Sequence, residues 1–236
     1  MTLDRRGVLV AAALAPLAAP AMAAEDAAER RLREDWPWLA RYAEDNRRVL
    51  ASGERVGIVF MGDSITEGWR DKRPAFFTPG RVGRGIGGQT TPQMLLRMMA
   101  DVIALRPRAV HIMAGTNDIA SNTGPMTPRM TQDNIAAMAT LARANGVAVL
   151  LASIPPAADF PWRPGLETGR PIAALNAWIR EYAGRSGATW VDYHPALATP
   201  NGAMRPGLAY DGVHPTEAGY DAMAGVLEPV LRQKGL

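Results

Sequence analysis

Val56-Gly-Ile-Val-Phe-Met-Gly-Asp-Ser64 opens with a short apolar run and stops at Gly62. A continuous run of this kind suits a strand buried on both faces, because a half-exposed strand would alternate polar and apolar side chains. A strand over residues 56–61 would deliver Ser64 to the amino end of a helix predicted over 65–71. Backbone N–H groups and the helix dipole favour negative charge at such an end. Ser64 then has two readings, a helix N-cap or a nucleophile.

The same rhythm repeats along the chain. Further strands are predicted at 81–84, 109–113, 147–152 and 188–193, separated by helices at 91–105, 127–144 and 171–185 and followed by one at 215–231. Asn145-Gly146 closes one helix, and Thr91-Pro92 opens another with a cap and a first-turn proline. Strands alternating with helices predict an α/β fold, a single three-layer α/β/α domain around a five-stranded parallel sheet with right-handed crossovers. Residues 24–236 are expected to form it, with a leading helical segment at 24–50 interrupted at Asp35-Trp-Pro-Trp38. Ligands of such sheets sit beyond the carboxyl ends of the strands, so a motif gains weight when it directly follows one.

A serine hydroxyl is a poor nucleophile until a neighbouring base takes its proton. The chain has three histidines. His111 falls inside the predicted third strand and reads as a packed core residue. His194, before Pro195, reads as a loop histidine. His214 stands in Tyr210-Asp-Gly-Val-His-Pro215, three residues after Asp211. A turn around Gly212 would set carboxylate and imidazole side by side, so that the one orients the other. Ala114-Gly-Thr-Asn-Asp118 follows the third strand, where Asn117 reads either as turn punctuation or as an amide donor to a developing oxyanion. Gly85-Ile-Gly-Gly-Gln-Thr90 follows the second strand, where Gly88 would let a backbone N–H approach a substrate closely. The spacing of Gly83, Gly85, Gly87 and Gly88 is not that of a dinucleotide-binding loop, and no G-x-S-x-G surrounds Ser64, which argues against the α/β-hydrolase nucleophile elbow.

Taken together, these segments resemble the four blocks of the SGNH (GDSL-like) hydrolases, which carry Ser, Gly, Asn and His in this order. Ser64, Gly88, Asn117 and His214 match them, with Asp211 three residues before the histidine, and the resemblance spans residues 56–231. The stretch Val82-Gly-Arg-Gly-Ile-Gly-Gly88 with Gln89-Thr-Thr91 is similar to the branch related to platelet-activating factor acetylhydrolase catalytic subunits, although Gln89 stands where that branch usually has an acidic residue. The resemblance implies a flavodoxin-like sheet and a serine esterase. Ser64 would attack an ester carbonyl, with His214 as base, Asp211 orienting it, and the Ser64 and Gly88 N–H groups and the Asn117 amide holding the oxyanion. Residues 154–170, with four prolines, are the longest irregular stretch, and Phe160, Trp162 and Arg163 there are candidates for a wall of the substrate pocket. A carbohydrate O-acetylesterase is the alternative within the enzyme class, and a non-catalytic binding module on the same fold is the alternative outside it.

Composition narrows the remaining possibilities. The 236 residues include no cysteine, which excludes disulfides, thiolate catalysis and Cys-ligated metals. No His/Asp cluster with ligand spacing is visible, so neither metal nor cofactor is expected. The net charge is +3 and the basic residues are scattered, which speaks against nucleic acid as a partner. Residues 1–23 combine a basic start, an apolar run at 7–20 and small residues at Ala21-Met-Ala23, the anatomy of a cleaved secretory signal peptide, and Arg5-Arg6 suits a twin-arginine route. The expected partners are export machinery and a small-molecule or carbohydrate ester, with no membrane anchor after cleavage; the expected location is periplasmic or secreted.

Overall fold

In the computed structural model the described residues are 27 and 29–236, so the leader read at 1–23 lies outside them. Contacts divide the chain between Trp36 and Pro37, within the leading segment. In the first unit residues 29–34 are helical. Every element named below belongs to the second.

That unit runs α1 (Ala40–Ala51), β1 (Ile58–Gly62), α2 (Ser64–Lys72), β2 (Arg81–Gly85), α3 (Thr91–Asp101), β3 (Ala109–Met113), α4 (Thr116–Ile119), α5 (Pro128–Ala144), β4 (Ala148–Ala152), α6 (Gly169–Ser186), β5 (Thr189–Val191), α7 (His194–Leu197) and α8 (Glu217–Lys234). All strand pairs are parallel, in the order β2-β1-β3-β4-β5. The chain leaves β1 toward β2 on one side and returns to β3 on the other, so the carboxyl end of β1 is the point where the winding reverses and a crevice opens. Register makes this edge level: Gly62 stands opposite both Gly85 and Met113. The loops bearing Ser64, Gly88 and Asn117 therefore leave the sheet side by side.

β1 is buried along its whole length, as its unbroken apolar run requires. Helices α1, α3, α5 and α6 pack in succession on one face, and α2 with α8 on the other. Beneath α2, Trp69 stacks on Phe76 at 4.6 Å and on Tyr220 of α8 at 5.7 Å, and meets Phe60 edge-on at 6.0 Å. Such pairs each add about 0.5–1.5 kcal/mol beyond the area they bury. The Tyr220 hydroxyl donates to the Ile65 carbonyl at 2.8 Å, and Arg73 forms ion pairs with Glu217 and Asp221 on the outside. These contacts fasten α8, which follows His214, to α2, which begins with Ser64.

The predicted 91–105 helix is shorter than its composition suggested. It ends at Asp101, and a 3₁₀ turn at Ile103–Leu105 closes on Arg106 at φ 51°. The first strand starts two residues later than predicted because the Gly57 and Ile58 N–H groups are taken by the Gly80 carbonyl at 2.8 and 3.0 Å. The interrupted leading segment yields α1 only from Ala40.

Candidate active site

Ser64 is the first residue of α2, where a backbone N–H has no intrahelical acceptor. The preceding Asp63 caps the helix by accepting from the Ile65 N–H at 3.0 Å. Almost fully enclosed at 2 % exposure, the Asp63 carboxyl is pushed by burial up to about 6, against the pull of the Ile65 N–H and of charge at His214. The turn is tight. A Cβ on Gly85 would lie 2.1 Å from the Glu67 nitrogen, so β2 can approach the first turn of α2 only without a side chain there.

His214 arrives from the far end of the sequence on a loop that its own neighbours shape. Asp211 Oδ1 accepts from the backbone N–H groups of Val213 at 3.0 Å and His214 at 2.7 Å, which folds the turn. Its other oxygen, Oδ2, lies 2.7 Å from His214 Nδ1, and His214 Nε2 lies 2.9 Å from Ser64 Oγ. Partial burial would raise the Asp211 carboxyl, but hydrogen bonds from the His214 backbone and ring and from the Val213 N–H hold it below its ordinary value. A hydroxyl, an imidazole and a carboxylate thus stand in one line, so a proton leaving Ser64 has an acceptor whose resulting charge is met by a carboxylate.

Gly88 follows β2 at φ +74°, a left-handed conformation that a side chain would strain. The turn is braced to α2 by the Gly87 N–H, which donates to Glu67 Oε2 at 2.7 Å, while Glu67 Oε1 pairs with Arg41 at 2.9 Å. Asn117 comes from α4, after β3. It is buried, and its amide nitrogen donates to the Gln89 carbonyl at 3.0 Å. The same sheet edge therefore holds all four block residues, two of them within direct hydrogen-bonding reach of each other. Beneath them lies Arg97, which the sequence reading passed over. Its guanidinium donates to the Gly62 carbonyl at 2.9 Å, the Arg84 carbonyl at 2.8 Å and Gln89 Oε1 at 2.6 Å, and pairs with the fully buried Asp101 at 3.1 Å. One cation thus ties the ends of β1 and β2 and the residue after Gly88 into a single frame. The signal for it was an arginine amid the apolar residues of Met94-Leu-Leu-Arg-Met-Met99, with Asp101 four places on.

The three loop candidates occupy different positions. Phe160 is fully buried and supports the wall from below, stacking under Trp162 at 5.1 Å. Trp162 is 37 % exposed, and its ring centre lies 5.8 Å from that of His214. Arg163 spends its guanidinium on the carbonyls of Ala120 at 2.8 Å and Ser121 at 3.0 Å, fixing the loop to the end of α4. Beside them lies a cleft of about 540 Å³ lined by Ile119, Ala120, Trp162, Arg163 and Leu166. Tyr210, not singled out from the sequence, is 61 % exposed and lies nearly parallel to the His214 ring at 5.7 Å. The other two histidines stand apart from this line. His111 is buried with its Nε2 at 2.9 Å from the Tyr193 hydroxyl, and burial pushes it down to about 3. His194 begins α7. Among the described residues no group of three or more His, Cys, Asp or Glu side chains is arranged to hold a metal ion, and no helix is long and apolar enough to cross a membrane.

A serine–histidine–aspartate line at the carboxyl edge of a parallel sheet defines a hydrolase of esters or related acyl compounds. Residues 60–222 match the model of the GDSL-like lipase/acylhydrolase family, and the chain belongs to that family. Among solved structures it is 43 % identical to a GDSL-like lipase from Bacteroides thetaiotaomicron VPI-5482, with a TM-score of 0.79 over 85 % of this chain and 100 % of that one. It is 42 % identical to a candidate acylhydrolase from Bacteroides fragilis NCTC 9343, with a TM-score of 0.81 over 85 % and 99 % of the two chains. An acetyl xylan esterase, AlAXEase, shares the fold at 20 % identity, with a TM-score of 0.61 over 75 % of this chain and 100 % of that one. No relative among curated protein sequences matches the chain.

Proposed function

We propose that this acylhydrolase cleaves carboxylic esters through a covalent acyl-enzyme on Ser64. The observation that carries the reading is the unbroken line from Ser64 Oγ to His214 Nε2 at 2.9 Å and from His214 Nδ1 to Asp211 Oδ2 at 2.7 Å. His214 takes the serine proton as Ser64 attacks the carbonyl carbon and passes it to the departing alcohol. The imidazole then activates water to release the acid and restore the serine. The oxyanion is held by the N–H groups of Ser64 and Gly88 and by the Asn117 amide, each such donor contributing about 10²–10³ in rate. The basic, apolar and small-residue order of residues 1–23 supports export, with the enzyme acting in the periplasm or outside the cell.

One observation favours a second reading for the alcohol half of the substrate. Two solvent-accessible aromatic side chains, Trp162 and Tyr210, flank His214, and aromatic rings beside a reacting centre suit the apolar face of a sugar ring. Under this reading the substrate is a carbohydrate O-acetyl ester. Acetate release from acetylated oligosaccharides, set against fatty-acid release from lysophospholipid, separates the two readings. The test of the mechanism itself is Ser64→Ala with p-nitrophenyl acetate, paired with fluorophosphonate labelling of the unmodified enzyme. Turnover should vanish while the protein stays folded, and the label should map to Ser64. A variant that kept normal turnover would remove Ser64 as nucleophile.

A further inference from the structure

Three hydrogen bonds outside the catalytic line run end to end. The Trp162 indole N–H donates to Asn122 Oδ1 at 3.1 Å, the Asn122 amide nitrogen donates to Asn117 Oδ1 at 2.7 Å, and the Asn117 amide nitrogen donates to the Gln89 carbonyl at 3.0 Å. The direction of this chain is fixed at both ends, by the Gln89 carbonyl, which can only accept, and by Trp162. An indole nitrogen is a donor only, whereas a carboxamide offers oxygen on one side and NH₂ on the other. Trp162 therefore obliges Asn122 to turn its oxygen toward the indole and its NH₂ toward Asn117. Asn117 must in turn present its oxygen to Asn122 and its NH₂ to the opposite side. One hydrogen of that NH₂ goes to Gln89. The other faces Asp63 Oδ2 only at 3.5 Å, the long limit of a hydrogen bond, and is free to turn to a substrate oxygen.

The relay rests on backbone held from several directions. The Asn122 N–H donates to the Asn117 carbonyl at 3.0 Å, the Ser121 N–H donates to the Asp118 carbonyl at 2.9 Å, and Arg163 grips the carbonyls of Ala120 and Ser121. Thr123 is tied to Thr90 through their hydroxyls at 2.7 Å. Asn122 is thus a side chain on a fixed backbone, aimed at the amide that the proposed mechanism needs in one of two possible orientations.

We infer that Asn122 is a positioning residue for the oxyanion donor, holding the Asn117 carboxamide with its NH₂ toward the reacting carbonyl, and that Trp162 sets the polarity of Asn122. The inference rests on the proposed esterase mechanism. A flipped Asn117 would aim a lone pair at the oxyanion, so losing the relay weakens stabilisation of the transition state and leaves substrate binding in place.

The test is a double-mutant cycle on p-nitrophenyl acetate hydrolysis. Asn122→Ala should lower kcat about tenfold, a part of the 10²–10³ attached to one oxyanion donor, with KM within about twofold of normal. Trp162→Phe keeps an aromatic ring on Phe160 but removes the donor, and should lower kcat about two- to tenfold. In an Asn117→Ala background both changes should have no further effect, since the amide they orient is gone. Losses that multiply in the double variants, or an Asn117→Ala enzyme with normal kcat, would overturn the positioning role. A purely structural contribution of Asn122 would multiply in this way, whereas positioning cannot. Unlabelled Ser64, or a fully active Ser64→Ala enzyme, would instead sink the nucleophile reading on which the relay depends, so the two failures are told apart.

Discussion

Asp63 is the residue whose replacement tests the physical picture of the site most directly. Its carboxyl is enclosed beneath Ser64, and burial pushes it from the ordinary 3.8 up to about 6. The sign follows from linkage. A carboxyl that holds its proton more tightly in the folded protein than in the unfolded chain makes the native state bind more protons between the two values. Its contribution to stability is therefore most favourable below about pH 4 and is lost as the pH rises through about 6. The gap of roughly two pH units is worth about 3 kcal/mol at neutral pH, on the scale of 1.36 kcal/mol per unit. Asp63→Asn keeps an oxygen able to accept from the Ile65 N–H, so the cap of α2 survives, while nothing remains to ionise. The variant should gain on the parent as the pH is raised from 4 to 7, by up to about 3 kcal/mol, or roughly 6–12 °C in Tm for a protein of this size. Urea unfolding of both proteins at half-unit intervals from pH 4 to 7 measures this. The difference between the two curves isolates Asp63 from the other titrating groups. A difference that does not change with pH would refute the claim that a buried, reluctantly ionised carboxyl lies next to Ser64. The same substitution removes a negative charge that favours positive charge at His214, so the more stable variant should hydrolyse p-nitrophenyl acetate more slowly at pH 7.

Asp211→Asn should reduce kcat by about 10³–10⁴ with little change in fold, since the amide no longer fixes the His214 tautomer or meets its charge; a loss below tenfold would remove Asp211 from the proton path. Gly85→Ala should destabilise the protein by about 3 kcal/mol or more, because the added carbon would lie 2.1 Å from the Glu67 nitrogen and push β2 away from α2, and thermal unfolding reads this directly. His111, pushed by burial from 6.5 down to about 3, should make the protein acid-sensitive. The unfolded chain takes up the proton first, so stability is complete above about pH 6.5 and is lost toward pH 3. The gap is worth up to about 5 kcal/mol, and His111→Phe, measured against the parent over that range, should abolish this part of the dependence.

What could be read from the chain beforehand follows the range of the interactions involved. The third strand was legible residue for residue at Ala109–Met113, because a strand buried on both faces is written mostly in apolar side chains, here with His111 as the one polar member. Helices α5 and α8 were legible within three residues at each end, α5 with Asn145-Gly146 marking its close. Helices α4 and α7, of four residues each, were not. One turn has no period to detect, and the conformation of each is set by what the loop packs against. The catalytic candidates were visible because each lies directly after a strand or within three residues of its partner. Asn122 was not, since the residue that orients it stands 40 positions away and only the folded loop brings Trp162 over it.

Gln89 shows how a departure from the related branch becomes intelligible once its surroundings are known. Its side chain has two different tasks: Oε1 accepts from Arg97 at 2.6 Å, and Nε2 donates to the Pro37 carbonyl at 2.7 Å. A carboxylate in that place would serve Arg97 at least as well, but it has no hydrogen to give. It would leave the Pro37 carbonyl without this donor and add a second negative charge to a guanidinium already paired with Asp101. An amide answers both demands with no net charge. Its backbone carbonyl meanwhile receives the Asn117 amide, so the residue that fastens Pro37 to the frame also anchors one end of the proposed oxyanion donor. The absence of an acid after Gly88 is therefore accounted for by the interior of the fold, through a buried arginine and a proline carbonyl.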